Sequence, residues 1–307
     1  MKSHTFIFLI ILLTSLSVSA KRKPIKVWTD SKSAAKEHPG FLLQGEYISK
    51  NSNQTIAVQA TVLNDGNFLV ASYRGGLPGA GWDKSKIGSK ILDTAALKTL
   101  ITSMKKVTRV SPTMGKAAPD NAIITIEDGL TKVENGLLQA GGQTTKNVGS
   151  FNMHIEFMLP FKPARNPSNQ DRGNSGIYIF NNYEIQIIDS FALDFDSKNN
   201  AIKLESKNTQ WCGSFYKLKV ADVNMALPPL TWQTYDIEFT APILKDNKKI
   251  KNAFITLYHN GVKIHDNFEL TTGTGNGARR KQLAKGTIFF QYHGNPTVFR
   301  NVWVVEK

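Results

Sequence analysis

The chain has 307 residues, a formal net charge of +14, 41% hydrophobic residues and a single cysteine. One cysteine excludes an internal disulfide, so burial of apolar side chains has to hold the fold together. The basic runs at 21–23, 245–251 and 278–281 are not interleaved with aromatic residues. That argues against nucleic acid as a partner and leaves a loose affinity for anionic polysaccharide.

Residues 1–20 read as a secretory signal peptide. Lys2 supplies the positive start, Phe6 to Leu13 an apolar core, and Val18-Ser19-Ala20 a small-residue cleavage site. The apolar run is too short to span a bilayer permanently and no other long one follows. The sequence therefore predicts an exported protein of the bacterial periplasm or cell surface, without stable membrane insertion. Residues 21–120 read as an N-terminal α+β region. It begins basic and turn-rich; "FLLQGEYI" (41–48), "TIAVQATVL" (55–63) and "GNFLVASYRGG" (66–76) then alternate as strands. "GGLPGAGWD" (75–83) is a fixed loop around Trp82. A helix is expected over 94–107, capped by Asp93 or Thr94, with Leu97, Leu100, Ile101 and Met104 as its apolar stripe. The polar stretch 111–121 marks the boundary.

Residues 121–307 read almost wholly as strand and turn. In 151–159, Phe151, Met153, Ile155 and Phe157 alternate with Asn152, His154 and Glu156. Residues 232–239 alternate again, Asn260-Gly261 is a strong hairpin signal, and 286–305 hold two more strands. Many short strands and little helix predict a mostly β fold, an antiparallel sandwich or jelly roll.

The stretch "RGNSGIYIFNNYEIQIIDS" (172–190) carries the densest polar pattern. A two-residue turn at Asn181-Asn182 would pair Phe180 with Tyr183, Ile179 with Glu184 and Ile177 with Gln186. Tyr178, Phe180, Tyr183, Ile185 and Ile187 would then face the core. Glu184 and Gln186 would sit beside Ile177 and Ile179, in a partly desolvated cleft that raises the pKa of Glu184. By simple alternation Asp189 falls on the other face. Near the C-terminus, Gln291 and His293 lie opposite Ile288, Phe290 and Tyr292, and Arg300 opposes Phe299, Asn301 and Trp303. Exposed sheet faces are the alternative reading for these residues. Cys212 reads as a buried structural thiol, and 273–281 is glycine-rich without the strand-then-helix context of a phosphate loop.

Together "RGNSGIYI…YEIQIIDS", "PPLTWQTYDIEFTAP", "NAFITLYHNGVKIHD" and "QYHGNPTVFRNVWV" resemble the 3-keto-disaccharide hydrolase domain family, from about Ala122 to Lys307. The resemblance implies a concanavalin A-like sandwich with a carbohydrate cleft. It also implies cleavage of glycosides oxidised to a ketone at C3. Such a ketone acidifies the C2 proton, so a base can remove it and the C1 substituent can leave; water can then add back. On this reading Glu184 and His293 are base and acid, in either order. Arg172 or Arg300 stabilises the enolate, unless a bound divalent metal does so. Asn174, Gln186 and Gln291, with Asp189, are candidates for binding sugar hydroxyls, and Trp211 could stack on a pyranose ring. Arg300 has a rival role, clamping the last strand through a buried carboxylate. The chain departs from the family pattern at Trp211 and Tyr292, where members carry acidic residues, and at Ala192, where glycine is usual. Two competing readings stay open: a non-catalytic carbohydrate-binding module and an ordinary two-carboxylate glycosidase. Against the latter, Gln186 stands where a second carboxylate would be needed.

Overall fold

The computed structural model describes residues 25–51, 54–86 and 88–307; the predicted signal peptide lies outside them. Helix α1 (Ser31–Glu37) opens the fold, its first turn capped by Asp30, whose carboxylate accepts the Ser33 N–H at 2.8 Å. The turn-rich sequence of this segment predicts no helix; the Asp30 cap supplies one. Strands β1 (Gly45–Asn51), β2 (Gln54–Val62), β3 (Phe68–Arg74) and β4 (Gly88–Leu92) follow, then helix α2 (Thr94–Ile101) and β5 (Lys105–Val107). They form one five-stranded sheet in the order β4-β3-β2-β1-β5. Asp93 caps α2 as expected, accepting from Ala96 N–H at 2.8 Å, but the helix stops at Ile101 rather than Val107. The next residues gain more by extending: Lys105–Val107 pairs with Glu46–Ile48 at the open edge of β1.

The remaining strands are β6 (Ile124–Thr125), β7 (Val133–Glu134), β8 (Leu137–Gln139), β9 (Phe151–Met158), β10 (Ser175–Ile179), β11 (Tyr183–Ile187), β12 (Trp232–Thr240), β13 (Ile243–Lys245), β14 (Lys248–Lys251), β15 (Ala253–His259), β16 (Val262–Leu270), β17 (Ile288–Phe290) and β18 (Val298–Glu306). A large sheet runs β16-β15-β12-β9-β18-β8-β7, with β6 also on β18, and a small sheet runs β11-β10-β17. Both are antiparallel. Phe151, Met153, Ile155 and Phe157 of β9 and Tyr235, Ile237 and Phe239 of β12 pack against Ile177, Ile179, Ile185, Ile187 and Phe290 of the small sheet. The fold is thus the mostly β sandwich that alternation predicts.

Two corrections of face follow from the register. The β10–β11 loop has three residues, Phe180, Asn181 and Asn182, so Ile179 pairs with Tyr183, Tyr178 with Glu184 and Gly176 with Gln186. One residue of slip turns every side chain of a strand over. Ile177 and Ile179 therefore face the core, and Tyr178 joins Glu184 on the outer face. In β18 a bulge between Arg300 and Trp303, with Asn301 at φ 45°, puts Arg300 and Asn301 on the same side. Arg300 Nε donates to Glu156 Oε2 at 2.7 Å and Asn301 Nδ2 to Oε1 at 3.0 Å. Burial works against ionisation of Glu156, yet Asn301, the Gly115 N–H and Arg300 together hold its carboxyl below the usual range.

The N-terminal sheet and the sandwich are joined by polar contacts as well as packing. Thr113 Oγ1 donates to Asp236 at 2.7 Å and Gly115 N–H to Glu156 at 2.6 Å, laying the connecting segment across the outer face of the large sheet. Arg172, fully buried, donates to Asp189 Oδ2 at 2.6 Å, and to Val62 O and Thr61 Oγ1 of β2, both at 3.1 Å.

Candidate functional site

The outer face of the small sheet carries a cleft of about 330 Å³. Its floor is Tyr178 of β10 and Glu184 of β11, with Asn174 leading into β10 and Gln291 and His293 following β17. Two loops make the walls. Residues 213–216 run beside β11 as an extra edge: Gln186 N–H donates to Ser214 O at 3.0 Å and Tyr216 N–H to Glu184 O at 3.1 Å. That carries Tyr216 and Lys217 over the cleft. On the other side the turn Gly275–Arg279 is tied to β11 by the Glu184 N–H, which donates to Thr274 Oγ1 at 2.6 Å. Here the glycine-rich sequence finds its use. A Cβ on Gly277 would lie 2.2 Å from Asn182 O, so only glycine lets this turn approach so closely and bring Asn276 and Arg279 to the rim.

Glu184 is the chemical centre of the cleft. It is 2% exposed, and burial pushes its carboxyl up to about 7, against the opposing influence of the Tyr178 hydroxyl and of Lys217. Tyr178 donates to Oε2 at 2.6 Å, and no described residue donates to Oε1. Burial and the neighbouring carboxylate raise the Tyr178 phenol well above its usual range, so it remains a donor. Gly176 leaves the room Glu184 needs, since a Cβ there would lie 3.0 Å from Oε1. A buried carboxyl that titrates near neutrality, with one oxygen fixed and the other open, can exchange a proton with a bound ligand.

Around it the amides are unfinished. Asn174 Oδ1 and Gln291 Oε1 are buried and have no hydrogen-bond partner among the described residues. Orphaned acceptors are costly inside a protein, and at a cleft they mark where ligand hydroxyls would donate. A larger groove, of about 560 Å³, lies on the outer face of the large sheet beside Asp236 and Trp303. Its Asp236 is already engaged: against the effect of burial, His154 and Thr113 hold its carboxyl below the usual range, and beside it Trp303 Nε1 donates to Lys116 O. The small cleft is therefore the candidate site.

The predicted residues divide between this cleft, the interior and, for Arg300, the outer face of the large sheet. Glu184, His293, Asn174 and Gln291 line the cleft. Gln186 shares the face of Glu184 but is fully buried, its amide engaged by Gln210 O at 3.2 Å and by the Ile187 N–H at 3.1 Å. Arg172 and Asp189 do not reach the cleft; each is the other's buried partner. Arg300 lies on the other sheet against Glu156 and Trp232. Trp211 is fully buried against Phe195, Leu193, Leu63 and Leu69, and its indole N–H donates to Ser206 Oγ, so no sugar can stack on it. Tyr292 is not a core residue but 61% exposed. Cys212 is buried, 3.2 Å from Tyr235 Oη, and burial pushes its thiol up to about 11, as suits a structural thiol. Tyr178, Tyr216, Lys217 and Arg279 are cleft residues that pattern reading missed. A three-residue turn would have revealed Tyr178; the other three sit in loops without periodicity.

For a divalent metal, the other enolate stabiliser that the sequence suggests, this cleft offers few charged ligands. Glu184 is its one carboxylate, Lys217 and Arg279 stand beside it, and the described residues hold no group of three His, Cys, Asp or Glu side chains suited to a metal.

Residues 98–305 match the model of the 3-keto-alpha-glucoside-1,2-lyase-like domain. The chain belongs to that family. Among solved structures, a candidate glycosyl hydrolase from Parabacteroides distasonis is similar at 27% identity and a TM-score of 0.50, over 62% of this chain and 85% of that one. A second from the same organism is 19% identical with a TM-score of 0.38, over 59% of this chain and 84% of that one. No curated protein matches the sequence.

Proposed function

We propose that this is an exported carbohydrate-active enzyme that cleaves 3-keto-glycosides by removing the proton at C2. The observation that carries the reading is Glu184: buried, held by Tyr178, and titrating at about 7 in a cleft that also contains His293. Family membership and the glycosyl hydrolase neighbour support a sugar substrate.

In the proposed reaction Glu184 Oε1 takes the C2 proton, and the electron pair of that bond moves into the C2–C3 bond as the ketone becomes an enolate. The enolate collapses, C1=C2 forms, and the C1–O bond breaks. His293 donates a proton to the departing oxygen. Water adding to C1 then gives net hydrolysis. Asn174 Oδ1 and Gln291 Oε1 accept from sugar hydroxyls and set the ring over Glu184. A double-displacement glycosidase would need two carboxylates about 5 Å apart, and the residues lining this cleft include only Glu184.

The test is incubation with a 3-keto-glucoside deuterated at C2. Wild type should release the aglycone with loss of the label, and kcat/KM should rise with pH through about 7 as Glu184 ionises. Glu184→Gln should lower kcat by roughly 10²-fold or more, and His293→Ala by less with a good leaving group. No product from wild type across several aglycones would overturn the reading.

A further inference from the structure

The cations around the cleft are out of balance with its acids. Lys217 and Arg279 line it, both exposed at the rim, and neither makes an ion pair or a side-chain hydrogen bond with any described residue. Other surface cations, Lys248 and Lys251 among them, also lack an acid partner among the described residues; what sets Lys217 and Arg279 apart is that both line a concavity with one acid at its floor. Lys217 is fixed in place by its backbone, with φ at 60° and its N–H donating to Thr209 O at 2.9 Å. Arg279 belongs to the turn that Gly277 allows to press on Asn182. Of the basic run 278–281, Arg279 is thus held at the cleft while its neighbours stay exposed. Arg280, the next residue, is close enough to act electrostatically on the Tyr178 hydroxyl.

We infer that the natural glycoside is anionic, and that Lys217 and Arg279 receive its carboxylate, sulfate or phosphate at the rim while Glu184 acts on the ring. The inference rests on the cleft's being a glycoside site. Unpaired cations converging on one concavity raise the local potential and favour an anion both in encounter and in the bound state. Arginine adds a planar fork that matches an oxyanion, and lysine adds a point charge that tolerates several geometries. The single acid below them carries at most one negative charge, so the two cations outweigh it even when Glu184 is ionised.

The experiment compares one sugar in four forms, neutral, 6-carboxylate, 6-sulfate and 6-phosphate, at low and high salt. Binding of the unoxidised methyl glycosides is measured by calorimetry, and kcat/KM for their 3-keto forms by product release. The expected result is at least a tenfold preference for one anionic form over the neutral one at low salt, reduced at high salt. In Lys217→Gln/Arg279→Gln the anionic-to-neutral ratio should fall close to one. Lys248→Gln/Lys251→Gln removes the same charge from the distant β13–β14 hairpin and should leave the ratio intact. Equal binding and turnover of all four forms would overturn the inference while leaving the reaction standing, as would a ratio that falls equally in the hairpin variant. Preferential binding of an anionic form with no turnover of any would sink the reaction and support the anion site alone.

Discussion

The stretch 172–190 builds two regions that treat polar groups in opposite ways. At its ends Arg172 and Asp189 form a fully buried clamp whose every donor nitrogen has an acceptor, Asp189, Val62, Arg165 or Thr61. In its middle Glu184 sits in a cleft where the amides of Asn174 and Gln291 have acceptors left over. Both regions are desolvated and both hold charge-bearing side chains. The difference teaches which to read as function: completed hydrogen bonding signals architecture, and incompleteness beside an opening signals a ligand.

The largest expected effect breaks the clamp. Arg172→Ala leaves Asp189 buried without its partner and should cost about 3–5 kcal/mol, lowering the thermal midpoint by roughly 10 °C; a midpoint unchanged in calorimetry would show that the pair does not hold the two sheets. The cleft should respond in the opposite direction. Glu184 has its carboxyl raised from the usual 4.5 to about 7, so the folded state binds a proton more readily than the unfolded one between those values. Stability is therefore lost as pH rises through that window, and the loss persists above it. Glu184→Gln should raise stability at pH 8 by an amount on the order of 2 kcal/mol, and with it the midpoint, and gain little at pH 4. Equal midpoints at pH 8 would refute the claim that the cleft stores this cost. The smallest effect sharpens the role of Tyr178. Its hydroxyl favours the ionised form of Glu184, so Tyr178→Phe should move the rising limb of kcat/KM to higher pH, with roughly tenfold loss at pH 6 and less at pH 9. A uniform loss at all pH values would mean that Tyr178 acts on the substrate instead.

Alternation made the sandwich legible, because β9, β12 and β15 keep an unbroken period of two and Asn260-Gly261 closes its hairpin with both residues at positive φ, 50° and 77°. The small sheet was legible in composition but not in register. Its loop places Phe180 at φ 56° and Asn181 at φ 58°, and a phenylalanine in the left-handed region is not something a sequence advertises. What holds it there is distant: Phe180 packs edge-on against Phe239, and Gly286 leaves space for its ring. The single-residue slip removed two isoleucines from beside Glu184 and supplied Tyr178, so the right residue was singled out with the wrong neighbours. Arg172 misled for a related reason. Its partner lies seventeen residues on, and two of its other acceptors, Val62 O and Thr61 Oγ1, lie on β2, which no local pattern connects to it. Lys217 and Arg279 were invisible as site residues because loops carry no period. Only the packing of Gly277 on Asn182 and of residues 213–216 on β11 brings them to the rim.

The segment across the outer face of the large sheet limits how the chain can be divided. A fragment starting at residue 121 would keep Glu156 and Asp236 but discard Gly115 and Thr113, which satisfy them. It would also expose Arg172 where β2 now covers it. The apparent boundary in composition is therefore a poor place to cut. A protease nick there should loosen both sheets together, and heat should melt them in a single transition, so the smallest piece that keeps the cleft intact is one that retains its N-terminal sheet.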